Sequence, residues 1–590
     1  MKEIGMMNKR KIYVLTLLIM SILAAVFLNS FYWPYDGIDS RKLIVWGIAI
    51  GLIVIVPVLV VKIKMFYELF VSIFDSIKHV LGQLMKNKKK IIYFLLTIAL
   101  GVILSRIAAQ IFGVDILKRE YNPKIVETFF VLYLILTISV FMWKTLAKRV
   151  ECFFVIVALI LGVFSISVTP NRVGVSWDDE VHYARTLEIS NLLNGIMYIA
   201  DERNINEYAT NIYGQTGFDR ASATQYEQEL NTSYEFEEWN EHDFWEYGVW
   251  SVSYVPAAIG IILARGLEMS YVNVFNMGRL FNLLSYVLLI YLAMKRLKHG
   301  KMIVATIGLI PTTVFMAASY SYDWWVTGFT ILGFAYFFAE FQEESVLKNR
   351  NIVIMIGALM LGCLPKAIYF PILFPLLFMP KTKFKDSKQR LWYYLFVIGM
   401  GVLLVASFML PRFINGMGTG DSRGGTEVNA SAQVMYILQN PFEFAKTLLL
   451  FLKFYVSPQS TGPMLQRMGY VGEGDFYGIV SLLIVVVAFL DRSDKNHKNY
   501  LVRITGVIGC IVALVLSTVA LYISFTAVGA DSVAGMQGRY MVPFIFPTLY
   551  CLGFGGTHYK ISKNAFVCVP MLIIAVTFIY NMLRMCVIRY

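Results

Sequence analysis

Apolar runs of roughly 20 residues recur along the whole chain, and each is long enough to cross about 30 Å of hydrocarbon. Backbone N–H and C=O groups find no water inside a bilayer, so such runs must satisfy themselves as helices. The runs fall at 12-30, 43-62, 91-113, 125-144, 152-169, 272-294, 302-320, 322-340, 351-364, 367-380, 391-410, 476-490, 501-526, 541-556 and 564-583. The expected fold is therefore all-α, a polytopic membrane protein with about 15 transmembrane helices. Composition agrees: 57% of the 590 residues are hydrophobic and 15% charged, too little polar surface for a soluble protein of this size.

The net charge of +13 does not imply nucleic acid. Membrane proteins gather Lys and Arg in short cytoplasmic loops, which raises the overall charge without any such partner. Basic loops occur at Lys62 to Lys90, Lys144 to Arg149, Lys295 to Lys301, Lys381 to Arg390 and Arg492 to Lys498. The segment 170-250 is the opposite, with 16 acidic residues, four arginines and no lysine. It should be extracytoplasmic, and the N-terminus cytoplasmic. The first run follows a basic stretch, Met1 to Lys11, without a small-residue cleavage site, and reads as an uncleaved helix ending in the interfacial aromatics Phe31-Tyr32-Trp33. The six cysteines lie in or beside apolar runs, without metal-type spacing, and read as buried thiols.

Three segments depart from simple spanning. If 251-268 crossed the membrane, Lys295 to Lys301 would fall outside, so it is expected to lie in the outer interface. Leu364-Pro365-Lys366 interrupts an apolar stretch, and two short helices meeting there would place Lys366 at the outer side. Segment 64-86 carries Phe66, Phe70, Ile73, Phe74, Ile77 and Val80 at helical spacing and reads as a cytoplasmic amphipathic helix. The outer segment 411-475 begins Gly-rich and becomes amphipathic through Phe442 to Tyr455.

The densest group of reactive residues is Ser176-Trp177-Asp178-Asp179-Glu180-Val181-His182-Tyr183-Ala184-Arg185, just after the run 152-169. On a helix, Asp178, His182 and Arg185 would share one face at i, i+4 and i+7. Adjacent carboxylates repel, and a cation or hydrogen-bond donor relieves them. Such a pair can act as a general base or hold a divalent cation such as Mg or Mn. An acidic loop also contains neighbouring acids by chance.

This acid-acid-x-x-His-x-x-Arg pattern resembles the Asp-Glu-x-x-His-x-x-Arg motif of a bacterial membrane family of unknown function placed with the GT-C glycosyltransferases. Further pieces occur in the same order: Tyr254-Val255-Pro256, Gly278-Arg279-Leu280-Phe281-Asn282, Ser319-Tyr320-Ser321-Tyr322-Asp323, Lys366 between two short helices, and Gln537-Gly538-Arg539-Tyr540. The resemblance covers roughly 150-560. It departs from the family pattern at Asp179, where Glu is usual, and it says nothing about the extension 1-145 or the final helix in 561-590. It implies a GT-C-like core whose first outer loop is large.

The resemblance further implies a membrane glycosyltransferase. Such an enzyme would move a sugar from a polyprenyl-phosphate donor to a glycan or lipid acceptor outside the bacterial plasma membrane, with inversion. Asp178 would be the general base, with Asp179 assisting or binding metal. Lys366 and Arg539, with Arg279 and the polar residues His182, Arg185, Ser321, Asp323 and Gln537, would bind substrate. Residue by residue a plainer reading stands beside each. Arg279 can snorkel at a helix end, Asp323 beside Trp324-Trp325 can be interfacial, and Arg539 can cap a helix or pair with Asp531. A lipid-glycan transporter, or a polysaccharide ligase or polymerase, also suits many helices with polar residues on one side.

Overall fold

The computed structural model describes residues 88–118, 121–194, 196–198, 201, 204–205, 220–232, 236–238, 249–415, 424–472, 474–476, 478–491, 499–553 and 562–588. The expected spans 12-30 and 43-62 and the amphipathic segment 64-86 lie outside them. Helix α1 is Lys88–Ala109, continued by a wider turn Gln110–Ile116, followed by α2 Pro123–Leu146 and α3 Val150–Val168. Then come α4 Asp179–Asn194, strand β1 Ile196–Tyr198, α5 Arg220–Thr232 and strand β2 Phe236–Glu238. The two strands pair antiparallel, a small ribbon in an otherwise helical chain. A 3-10 turn, Val249–Tyr254, leads to α6 Val255–Gly266, α7 Tyr271–Arg296, α8 Lys301–Gly308, α9 Pro311–Ala317, α10 Asp323–Phe341 and α11 Asn349–Cys363. The 3-10 helix Leu364–Phe378 precedes α12 Ser387–Asn415, α13 Ala430–Gln439, α14 Pro441–Tyr455, α15 Pro458–Met464, α16 Ile479–Leu490 and α17 Tyr500–Ser524. A 3-10 turn Gly538–Tyr540 opens α18 Val542–Leu552, and α19 Lys563–Met582 is continued by a wider turn, Leu583–Ile588.

Among the described residues, eight helical stretches are long and apolar enough to cross a membrane. The protein is an all-α, multi-pass membrane protein. Large apolar side chains face outward along several of these helices, among them Val140, Leu391, Val402 and Ile504, as hydrocarbon rather than water around them requires. The core runs through α3, α7, α10 and α11, where Phe153, Leu161, Tyr286, Ile290, Phe334 and Phe337 are fully buried.

Hydrogen bonds establish two ends of the bundle. At the basic end, Arg296 closing α7 pairs at 2.6 Å with Glu340 in the last turn of α10 and at 2.7 Å with Glu343 just beyond it. Asp491, after α16, accepts N–H bonds from Gly300, Met302 and Ile303 and so caps α8 from a distant part of the chain. At the opposite, loop end lie the start of α4, the start of α10 and the 538–540 turn.

The stretch Asn349–Phe378 is apolar enough to span as one piece, yet it folds back at Lys366, whose backbone is non-helical (φ −135°, ψ 65°). Lys366 reaches Asp323 at the loop end, whereas Lys383 donates to the Glu340 carbonyl and accepts from Leu347 N–H at the basic end. The expected hairpin of two short segments is therefore present. The apolar run 302-320 is not one helix. It breaks at Leu309-Ile310 because Pro311 has no N–H and forces Ile310 into an extended conformation (ψ 132°). Residues 255–266 form a 12-residue helix, about 18 Å long and too short to span. The same length argument applies to α16 and α18, with 12 and 11 residues, where the apolar runs 476-490 and 541-556 suggested full spans. All six cysteines are buried and unbridged.

Candidate functional site

The loop joining α3 to α4 is held by one carboxylate. Asp179, at the first position of α4, is 4% exposed and accepts from the N–H groups of Gly174 (2.6 Å), Val175 (3.1 Å) and Ser176 (2.8 Å). Burial pushes its carboxyl up to about 7, the Glu180 charge adds to this, and the three N–H donors pull the other way. Gly469 fastens the loop from outside. It is left-handed (φ +56°), and a Cβ there would fall 2.4 Å from the Val175 carbonyl oxygen that accepts from Tyr470 N–H.

Asp178 precedes the helix and takes a left-handed backbone (φ 55°), which Asp tolerates better than most residues. This corrects the expected i, i+4, i+7 face, because Asp178 is a turn residue while His182 and Arg185 are helical. Its carboxylate is turned to Arg539, with Oδ2 at 2.7 Å from Nη2. Arg539 reaches back with Nη1 to Asp323 Oδ2 at 3.0 Å, and Asp323 Oδ1 lies 2.6 Å from Lys366 Nζ. Asp178, Arg539, Asp323 and Lys366 therefore form one continuous chain of charge, two negative and two positive. The side chains of Arg539, Asp323 and Lys366 are 5%, 6% and 12% exposed, whereas Asp178 is 29% exposed. Asp178 is thus the member reachable from outside.

Local structure explains each placement. Ser321 Oγ accepts from Asp323 N–H and donates to its carboxylate, fixing the acid at the start of α10, where the helix dipole favours negative charge. Lys366 sits at the reversal of the hairpin, with its ammonium 4.0 Å from the Tyr540 ring centre and 5.4 and 5.8 Å from those of Tyr322 and Tyr369. Arg539 lies over Trp177 at 5.1 Å and keeps its Nε–H buried without an acceptor among the described residues. Gly538 allows this turn to dock, since a Cβ would come within 2.4 Å of the Met464 Cβ. Gln537 offers its carbonyl to Tyr455, while its side-chain Oε1 has no partner among the described residues.

Residues 159–548 match a family described as "Predicted membrane protein (DUF2142)". The chain belongs to this family. All four members of the charge chain fall inside the matched region. No curated protein and no solved structure matches the chain.

Other residues singled out in this DUF2142 sequence are placed differently. His182 shares a hydrogen bond with Tyr254 through Nδ1 (2.9 Å) and packs edge-on against Tyr322, at the rim of the cluster. Burial and the nearby Arg539 charge hold its imidazole down to about 4, against the pull of Asp178 and Asp323. Arg185 pairs with Glu188 at 2.8 Å, one turn further along α4. Arg279 is not in the cluster. Its guanidinium bonds Thr169 Oγ1 at 2.8 Å and Asn276, and so ties α7 to the exit of α3. Arg539 pairs with Asp178 and Asp323 rather than Asp531. Asp178 and Asp179 do not form a shared cation cradle, since one carboxylate is bound to a guanidinium and the other to three N–H groups. Among the described residues, no group of three or more His, Cys, Asp or Glu side chains is arranged to hold a metal ion.

Trp177, Tyr322, Tyr369 and Tyr540 are the cluster members that sequence reasoning passed over. The available signal was proximity, since Trp177 precedes Asp178, Tyr540 follows Arg539, and Tyr369 lies three residues after Lys366. Chemically the arrangement combines a partly exposed carboxylate able to accept a proton with two cations of the kind that suit phosphate oxygens.

Proposed function

We propose that this protein is a membrane glycosyltransferase of GT-C type that uses a polyprenyl-phosphate sugar donor. The observation that carries the reading is the charge chain itself: a reachable carboxylate, Asp178, beside two buried cations at the end of a lipid-facing helical bundle. The acceptor hydroxyl attacks the anomeric carbon as its proton passes to Asp178. The bond from that carbon to the phosphate oxygen breaks, and the departing phosphate is held by Lys366 and Arg539. One displacement inverts the anomeric centre. The isoprenoid chain stays in the bilayer, against apolar helices. The acceptor is a glycan or lipid of the cell envelope. The bacterial plasma membrane, with the basic end cytoplasmic and the cluster outside, suits the distribution of lysine between the two ends.

The test is a transfer assay on the purified, lipid-reconstituted protein. It is offered polyprenyl-phosphate sugars labelled in the sugar, together with a cell-envelope glycan fraction as acceptor. Label in the glycan, with release of polyprenyl phosphate, supports the reading. Movement of intact lipid-linked glycan across the bilayer without transfer would replace it with transport.

A further inference from the structure

At the basic end, far from the charge chain, the start of α11 and the first turns of α12 enclose a groove of about 620 Å³. Its lining changes character along its length. Asn349, Lys385 and Lys388 lie at its head, and Val353, Trp392 and Leu395 line the part beyond. From Lys388 to Leu395 the helix advances about 10 Å, roughly the distance from a lipid phosphate into its acyl region. These apolar side chains are more than half uncovered: Val353 is 58% exposed, Trp392 63% and Leu395 51%. The groove is held in shape by Gln389, whose Nε2 donates to both the Leu347 carbonyl and Asn349 Oδ1, joining the two helix starts.

The charges facing the groove are unequal. Among the residues that line it, Lys385 and Lys388 stand against one acid, Asp386. Asp386 is engaged as a cap, accepting from Gln389 N–H at 2.7 Å. Lys383 is directed to the carbonyls of Glu340 and Glu343. Lys385 and Lys388 remain exposed at the head of the groove. Positive charge at one end and uncovered apolar surface at the other match a phosphate attached to acyl chains.

We propose that this groove binds an anionic phospholipid of the leaflet at the basic end, with its phosphate between Lys385 and Lys388 and its chains along Val353, Trp392 and Leu395. The site is independent of any sugar transfer at the loop end.

The experiment uses the full chain in nanodiscs and measures binding of fluorescent phosphatidylglycerol and phosphatidylcholine. Replacing Lys385→Gln and Lys388→Gln together is expected to weaken phosphatidylglycerol binding about thirtyfold, at about 1 kcal/mol per lysine near a lipid surface. Phosphatidylcholine binding should not change. Lys298→Gln, at the same end but outside the groove, should leave both affinities as they are, and Lys385→Arg with Lys388→Arg should retain phosphatidylglycerol. Trp392→Ser with Leu395→Ser should weaken long-chain phosphatidylglycerol while sparing a short-chain analogue. Equal phosphatidylglycerol binding by the Gln variant and the unaltered protein would overturn the site, as would phosphatidylcholine binding as tight as phosphatidylglycerol.

Discussion

Replacing Asp178 with Asn should move turnover and phosphate binding in opposite directions. Asn keeps the volume and can still accept from Arg539 Nη2, now 2.7 Å from Asp178 Oδ2, so the turn should persist. Loss of a positioned general base lowers turnover by about two to four orders of magnitude. The ground state responds differently. In the unliganded protein two acids balance two cations, and removing one acid leaves a net positive charge. A unit charge about 5 Å from a bound phosphate, at an effective dielectric of about 30, is worth about 2 kcal/mol. The 29% exposure of Asp178 screens this to about 1 kcal/mol. An isoprenyl phosphate should therefore bind about fivefold tighter to the variant. Equilibrium binding in nanodiscs and transfer of labelled sugar report the two quantities separately. Lys366→Ala gives the contrast, with weaker phosphate binding. If Asp178→Asn weakens binding, lowers the melting temperature and leaves residual turnover high, the ion pair is a brace and the carboxylate is not the base.

Three further outcomes follow from the same geometry. Asp179→Ala removes the acceptor of three buried N–H groups and should destabilise the 171–178 loop by about 3 kcal/mol or more, read as faster proteolysis between α3 and α4. His182 is held down to about 4 from 6.5, so the stability gained from its neutral form is present above 6.5 and lost as pH falls toward 4; His182→Gln should lose less melting temperature than the unaltered protein over that window. The comparison must be between those two proteins, because Asp179, raised from 3.8 to about 7, contributes with the opposite sign over nearly the same range. Gln225→Cys, exposed on α5, should react with an impermeant thiol reagent in intact cells, the six native cysteines being buried; protection of that position would reverse the proposed orientation.

Much of the bundle was legible because the bilayer permits few solutions. The long apolar runs could only be helices, and Lys366 beside Pro365 marked a reversal that the structure places against Asp323. The count of full spans was less legible. Hydropathy continues through a break that a single proline makes, as at Pro311, and through apolar residues flanking the short α16 and α18. The ribbon of β1 and β2 joins residues about 40 apart through polar sequence, with no apolar alternation to reveal it.

The candidate site divides along the same line. Ser321, Asp323, Lys366 and Arg539 stand at helix starts and reversals, positions that sequence can locate. Which acid meets which cation depends on backbone detail that sequence does not display. Asp178 and Asp179 are the same residue side by side, yet one is buried beneath three N–H groups and the other is partly open to solvent. The difference arises because the chain from Gly174 to Ser176 curls around Asp179, forcing Asp178 into the left-handed region and turning its carboxylate toward Arg539, 361 residues away. Arg279 lies outside the charge chain for a related reason. Its partner Thr169 lies 110 residues earlier, and only the packing of α3 against α7 brings that hydroxyl within reach. An arginine at a helix end is thus ambiguous until its neighbour is known: beside a hydroxyl and a carbonyl it is a tie between helices, and between two carboxylates it is the middle of a charge chain.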